Sequence, residues 1–441
     1  MTAWIGVRRE DKSPWERRVP VIPEDAAEMQ RDYGIETVVQ SSPIRAFTDD
    51  EFARAGIRVQ EDLSPCSVIV GIKEVPKELF EKNKTYVFFA HVIKGQPYNM
   101  PMLRQMLDQG CTLIDYERVV DENNRRLIFF GWHAGVAGAI NTLWALGQRL
   151  AWRGIANPFT RLRQTHTYRD LDEARAALRQ VRAAMEAEGL PPQVTPLIVG
   201  VAGYGNVSRG VQEMLDLLPI LTIEPEAISG TATSVDYSRH HIYKAVFKEW
   251  HMVEPVSAEA SFELQHYYEH PEQYRGVFER YVPHLSVLIN AIFWTERYPR
   301  LVTKAFLKDL FSGKQAPRLR VIGDISCDIE GAIECTVKST EPGEPVFVYN
   351  PLTGEVMDGH QGPGIVVMAV DILPSELPRE ASADFSRILK PFLPAIARCD
   401  FSLPFEACNL PPEIKRAVIV YRGKLTPDYR YLESSLDPPP Q

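Results

Sequence analysis

The sequence predicts an α/β fold with parallel sheets, divided into two domains. Three observations carry that reading. The chain has 441 residues, more than one hydrophobic core ordinarily organises. Up to Asp115, short β-branched runs alternate with amphipathic segments, the pattern of a parallel sheet with helical crossovers. A second run of the same kind opens at Thr195, with two glycines between its first strand and its first helix.

The elements follow in order. Trp4 to Arg8 is expected as a strand. Pro23-Glu24-Asp25 opens a helix that Gly34 ends. Thr37 to Gln40 is a second strand, and Asp49 to Ala55 a short helix stopped by Gly56. Ser67 to Ile72 (SVIVGI) is a third strand, buried by its composition. Tyr86 to Ala90 is the fourth, after a loop or helical turn over Pro76 to Lys82. Met100 to Gln109 is a helix and Thr112 to Asp115 a fifth strand.

From Leu127 to Gly147 no residue is charged (LIFFGWHAGVAGAINTLWALG). The length tempts a membrane reading. Its glycines, histidine and asparagine favour a strand over Leu127–Phe130 and a buried connector helix from about Ala134 to Trp152. Asp170 to Glu188 is an amphipathic helix closed by Gly189. Pro196 to Ala202 and Pro219 to Ile223 are strands of the second unit. The apolar run Ile365 to Asp371 precedes a helix over Ser382 to Phe392, and the residues after Asp437 are expected to be disordered.

Composition narrows the function. A net charge of −9 and the lack of a long basic run argue against nucleic-acid binding. The 6 cysteines form no C-x-x-C pair, so they read as free thiols in a reducing compartment. The opening MTAWIGVRREDK mixes acidic and basic residues and runs into a strand, unlike a targeting peptide. These features predict a cytoplasmic protein with no membrane or nucleic-acid partner.

The stretch PLIVGVAGYGNVSRGVQEMLDLL carries the first chemical signal. Gly203 and Gly205 match the first two positions of G-x-G-x-x-G. Gly203 allows a tight turn, Gly205 admits a pyrophosphate close to the backbone, and the helix N-terminus favours its charge. Ser208 replaces the third glycine. Glu224, about 20 residues on, stands where an acidic group bonds the adenosine ribose. Its carboxylate favours NAD, whereas Arg239 offers a cation for a 2′-phosphate, so NAD and NADP both stay open.

The second signal is a convergence. In open α/β sheets, functional groups collect beyond the carboxyl ends of the strands. Arg18 follows the first strand, and Lys73 ends SVIVGIK. His91, Lys94 and Gln96 follow YVFFA, Glu117 follows TLIDY, and Arg125 and Arg126 precede LIFF. Histidine suits acid–base work near neutrality. A lysine crowded by cations or removed from water can exchange protons. Arg18 and Arg126 suit carboxylate binding, and Glu117 suits a cationic amine. A competing motif, HYYEH from His266 to His270, fits a zinc-peptidase pattern. Pro271 follows at once and no third ligand is evident, so no metal is expected.

The runs VRREDKSPWERRVPVIP, VGIKEVP, FFAHVIKGQ, LIDYERVVDENNRRLIFFGWHAGVAGAIN, GYGNVSRG, LINAIFWTERYPRL, GDISCDIEGAIE and AVDILPSELPREAS resemble lysine-ketoglutarate reductases. These form the N-terminal half of aminoadipate semialdehyde synthases, and are similar to lysine-forming saccharopine dehydrogenases. More distantly, the chain resembles alanine dehydrogenases and transhydrogenases. The resemblance implies two Rossmann-like domains with a cleft between them and a discontinuous substrate domain: 1–134, a dinucleotide domain over 135–335, then a return over 336–441. It implies reversible condensation of L-lysine with 2-oxoglutarate to saccharopine, using NADP or NAD and no metal. A separate saccharopine-oxidising enzyme is the implied partner.

By motif, the resemblance places Lys73 and His91 at the catalytic positions. Arg18, Gln96, Arg126 and Phe130 match substrate-binding positions, with Asn290, Ala291 and Ile292 lining the cleft. Arg125, Gly205, Asn206, Val207, Glu224, Asp324, Ile325 and Ser326 match the cofactor side. Other readings from the same scaffold are an opine-type or amino-acid dehydrogenase and a non-catalytic nucleotide-binding regulator.

Overall fold

The computed structural model describes residues 3–228 and 237–436. The expectation for the tail after Asp437 lies outside the described residues. The chain divides into two compact units, 1–130 with 378–441, and 131–377.

The first unit is built on eight strands. In chain order they begin with β1 (Ala3–Val7), β2 (Ile35–Val39), β3 (Arg58–Val59), β4 (Val68–Val70), β5 (Thr85–Phe88) and β6 (Thr112–Asp115). These pair in parallel in the order β6-β5-β4-β1-β2-β3. Val418–Tyr421 adds to β6 antiparallel, and Lys424–Leu425 closes the edge as a hairpin. Parallel strands covered on both faces are predominantly apolar, and β4, β5 and β6 are buried at every position. Their carboxyl ends therefore bring the first polar residues of each loop to one edge.

Local chemistry sets the helices here. Pro23 and two acidic residues start the helix Pro23–Tyr33, and Gly34, at φ 62°, ends it. Thr48 and Glu51 form a reciprocal capping box on Asp49–Arg54. The returning helix Pro378–Leu389 ties in through Ser382, whose hydroxyl accepts from the Val19 N–H at 2.9 Å.

The second unit holds β7 (Leu197–Ala202), β8 (Ile220–Thr222), β9 (Ile242–Phe247), β10 (Val253–Pro255) and β11 (Tyr274–Gly276). Then come β12 (Val287–Asn290), β13 (Val321–Asp324), β14 (Val346–Tyr349), β15 (Val356–Asp358) and β16 (Ile365–Met368). Eight of them form a sheet in the order β15-β14-β16-β13-β12-β7-β9-β8, while β10 and β11 pair separately. Its strands are parallel except at β14, antiparallel to both β15 and β16.

Two expectations are corrected here. Residues 336–377 belong to this second unit, because β14–β16 extend its sheet from β13, and the chain re-enters the first unit only at Pro378. Leu127–Phe130 forms no strand. Those residues follow a turn closed by the isolated Val120–Arg126 bridge, and the helix starts earlier than expected, at Gly131.

That helix, Gly131–Trp152, is buried on most faces. It lies directly on Asn206–Leu215. A Cβ on Gly135 would sit 1.9 Å from the Val207 carbonyl oxygen, and one on Gly210 would sit 2.2 Å from that of Trp132. Gly135 and Gly210 thus let these two helices approach closely, while Ser208, in place of the motif's third glycine, is buried and accepts from Gln212. Among the described residues, no helix is long and apolar enough to cross a membrane.

Candidate active site

The carboxyl edge of the first sheet gathers Glu10, Lys73, Glu74, His91, Asp115 and Glu117. Glu10 links two loops. Its carboxylate accepts from the backbone N–H of Ile72 at 2.6 Å and of Lys73 at 3.0 Å, fixing the chain where β4 ends. At the end of β5 the backbone of His91 enters the left-handed region at φ 48°, which turns its ring out of the strand. Asn99 clasps that turn, donating to the carbonyls of Ala90 at 3.0 Å and His91 at 3.2 Å. His91 Nδ1 then lies 2.7 Å from Glu74 Oε1, and Lys12 Nζ lies 2.7 Å from Glu74 Oε2.

The electrostatics explain what this edge can do. Burial lowers the proton affinity of Lys73, and the Arg18 guanidinium lowers it further against the opposing Glu16 and Glu74. Burial raises the Glu74 carboxyl, but hydrogen bonds from His91 and Lys12 more than offset it and hold it well below the usual range. Burial, helped by the Glu16 charge, pushes Glu10 up to about 7. Burial, with Glu117 adding, likewise pushes Asp115 to about 7. An amine with weakened proton affinity, a histidine oriented by a carboxylate and two carboxyls near neutrality suit proton transfer at physiological pH.

Arg18 differs from expectation. Its guanidinium fork is taken by Glu16, through bonds of 2.7 Å from Nε and 2.5 Å from Nη2, and it covers the Phe130 ring at 4.2 Å. Both partners of this pair are buried. Arg18 therefore acts on the edge through its charge, while Arg126 is exposed and only loosely paired, 3.8 Å from Glu117. Phe130 stacks on Phe385 of the returning segment. The Gln96 side-chain Oε1 accepts from the Lys94 N–H at 3.1 Å, so it shapes the FFAHVIKGQ turn. Arg125 lies in the first unit, on the exposed turn where Asp121 accepts from its N–H.

In the second unit the glycine turn follows β7 as expected. Gly203 takes φ 98°, and a Cβ there would meet the Ala291 carbonyl oxygen at 2.8 Å. A Cβ on Gly205 would meet nothing within 4 Å, so the space above it is open to a ligand. Gly205 precedes the helix Asn206–Leu215, whose first N–H groups are free to bind phosphate. Ala291 and Ile292 line the same cavity as Gly203 and Gly205. Asn290 is buried and donates to Asp324 Oδ1 at 2.9 Å, joining the ends of β12 and β13. Asp324 also accepts from Thr336 at 2.6 Å, and burial pushes it to about 6. Ile325 packs against Gly138, and the Ser326 hydroxyl donates to the Ile292 carbonyl.

Two cofactor assignments change. Glu224 lies two residues past β8, but β9 lies between β8 and β7, so Glu224 follows a strand one place further from the glycine turn than a ribose partner should. Arg239 precedes β9, at the amino end of the strands, where it donates to the Glu188 carbonyl at 2.6 Å. The acidic residue that follows the neighbouring strand is Glu249, and it lines the cavity with Gly203 and Gly205. Periodicity shows that strands exist but not which one inserts beside which. The HYYEH motif lies on the helix Leu264–Glu269, with His270 at its end. His266 Nδ1 lies 3.0 Å from the Tyr274 hydroxyl. Among the described residues, no group of three metal-ligating side chains is found.

A glycine turn at the carboxyl edge of one largely parallel sheet, joined in one chain to a second such sheet, defines a two-domain nucleotide-binding α/β protein. The family model described as alanine dehydrogenase/PNT, N-terminal domain, matches residues 6–137, and that for the C-terminal domain matches residues 252–428. The chain belongs to the alanine dehydrogenase/PNT family. It is 36% identical to alpha-aminoadipic semialdehyde synthase of Arabidopsis thaliana over 97% of this chain and 41% of that one. It is 33% identical to the mitochondrial enzyme of that name from Rattus norvegicus, over 97% and 47%. The chain thus spans under half the length of these relatives. Saccharopine dehydrogenase (NAD+, L-lysine-forming) of Yarrowia lipolytica is 28% identical over 89% of this chain and 92% of its own. A solved L-alanine dehydrogenase shares the fold, with a TM-score of 0.61 at 18% identity, over 98% and 100% of the two chains.

Proposed function

We propose that this chain catalyses the reversible reductive condensation of L-lysine with 2-oxoglutarate to give saccharopine. The observation that carries the reading is the pairing, at one sheet edge, of a lysine with lowered proton affinity and a histidine held by Glu74. The relatives named for saccharopine and aminoadipate semialdehyde chemistry support it.

The reaction needs a free amine, an activated keto carbon and removal of water. Lys73 accepts the proton that frees the ε-amine of the substrate. That nitrogen bonds to the keto carbon, and the oxygen leaves as water after protonation, a step suited to His91. The exposed Arg126 holds a substrate carboxylate, and Glu117 beside it attracts the cationic amine.

The second unit fits a nicotinamide dinucleotide: Gly205 leaves its phosphate side open, and the helix starting at Asn206 faces it. When bound, the reduced dinucleotide supplies the hydride that converts the imine to the secondary amine. The test mixes the protein with lysine, 2-oxoglutarate and NADH or NADPH and follows the loss of reduced-nicotinamide absorbance. Oxidation that depends on both substrates is the expected result. Tight dinucleotide binding without oxidation in either mixture overturns the reading for this substrate pair.

A further inference from the structure

The sheet order makes β9 the neighbour of β7, and β9 is followed at once by Lys248 and Glu249. A ligand whose phosphates rest on the turn after β7 reaches the carboxyl end of the adjoining strand. Glu249 meets it there, in a cavity of about 360 Å³ shared with Gly203, Gly205 and Tyr268.

Two tyrosines hold Glu249. The Tyr268 hydroxyl donates to its Oε1 at 2.7 Å, and Tyr204 also hydrogen-bonds the carboxylate, while its Oε2 is buried without a hydrogen-bond partner among the described residues. A buried carboxylate oxygen without a donor calls for one. Tyr268 belongs to HYYEH, the motif that suggested a metal from sequence. The helix instead presents a tyrosine to a carboxylate. Lys248 is the opposing feature, since an ammonium can hold a phosphate. Its Nζ lies over the rings of Trp250 and Tyr204, at 5.0 and 5.9 Å from their centroids.

We propose that Glu249, positioned by Tyr268, accepts the adenosine-ribose hydroxyls of the dinucleotide and makes this chain select NAD(H) over NADP(H). The inference rests on the reading of the glycine turn as a dinucleotide site. The free carboxylate oxygen takes a hydroxyl donor, whereas a 2′-phosphate brings like charge against it with no proton to share.

The test measures NADH and NADPH affinity by nicotinamide fluorescence on the full chain, without lysine or 2-oxoglutarate. NADH is expected to bind roughly 100-fold or more tightly than NADPH, as like-charge contacts in an interface are strongly unfavourable. Glu249→Ser weakens NADH and strengthens NADPH, because the Lys248 charge then acts unopposed. Tyr268→Phe keeps the ring and removes the donor; it weakens NADH by less than Glu249→Ser does and leaves NADPH affinity unchanged. Equal affinities in the wild type, or an unchanged affinity ratio in Glu249→Ser, overturn the proposal while leaving the dinucleotide site standing. Binding of neither dinucleotide by the wild type overturns both.

Discussion

His91 Nδ1 and Glu74 Oε1 stand 2.7 Å apart across the ends of two adjacent parallel strands. The carboxylate fixes the ring through one nitrogen and leaves the other for chemistry. This arrangement predicts a hierarchy. His91→Gln removes the group itself and lowers turnover roughly 100- to 1000-fold, within the range of acid–base contributions. Lys73→Met does the same. Glu74→Gln retains the ring but loses the charge that holds it, so turnover falls by less. Dinucleotide affinity is unchanged in all three, because none of these side chains lines the cavity at the glycine turn. Steady-state rates with parallel dinucleotide titrations check the order. Unchanged turnover in both His91→Gln and Lys73→Met shows the acid–base pair to be wrong.

Arg18 gives a prediction about stability. Its guanidinium and the Glu16 carboxylate are almost fully buried, with side-chain exposures of 3% and 2%. Burial pushes the Glu16 carboxyl up, and the Arg18 charge and hydrogen bonds, with Lys73, bring it below its usual value. Arg18→Ala leaves that carboxylate buried and unpaired, which costs about 3–5 kcal/mol. The double variant Arg18→Met with Glu16→Leu removes both charges and recovers most of the loss. Urea denaturation of the single and double variants measures it. A single-variant loss under about 1 kcal/mol contradicts the buried pairing.

Much of this edge is legible in the sequence, and the missing parts share a physical cause. Lys73 and His91 stand out because polar residues directly after apolar runs mark the ends of buried strands. Glu74 sits beside Lys73 in the same motif, yet only the left-handed turn at His91 brings its carboxylate to the ring. Glu10 and Asp115 carry no sequence mark, since their altered proton affinities come from burial. The run IYKAVF forms β9, the neighbour of β7, and gives no local sign of that place. Strand order depends on crossovers that local patterns do not encode, so the sequence does not show that β9 lies between β7 and β8. The extension of the second sheet by β14–β16 was hidden for the same reason.

The two glycines of the turn separate folding from binding. Gly203 needs both its positive φ and its contact with the Ala291 carbonyl. Gly203→Ala is therefore strained and crowded at once and destabilises the unit by about 1–3 kcal/mol. Gly205 has neither constraint, with φ −78° and open space where a Cβ would go. Gly205→Val is expected to cost about 1 kcal/mol, the loss of a favourable helix N-cap residue, and to lose dinucleotide affinity tenfold or more. Thermal unfolding and dinucleotide titration on both variants check this. Normal binding by Gly205→Val places the phosphates elsewhere.

The raised carboxyls predict a pH dependence with a definite sign. Asp115 is fully buried at the end of β6, where its Oδ1 accepts from the Glu117 N–H at 2.9 Å. Burial, with the Glu117 charge adding, raises its folded pKa from 3.8 to about 7. The folded state thus binds a proton that the unfolded chain releases near pH 4. The stability tied to that proton is fully present below pH 4 and is lost progressively as pH rises towards about 7. Glu10 acts in the same sense, over a window from 4.5 to about 7. Glu74 and Glu16 have the opposite sign. Their depressed values add stability that is present above the unfolded value near 4.5 and lost as pH falls. Stability therefore peaks in mildly acidic solution and declines towards pH 7.5. Asp115→Asn keeps an acceptor for Glu117 and cannot ionise, so it flattens the alkaline side of the profile and is relatively more stable at pH 8 than at pH 5. Denaturant midpoints of the wild type and this variant across pH 4.5 to 8.5 decide it. A constant difference between the two over that range means that Asp115 does not titrate on folding.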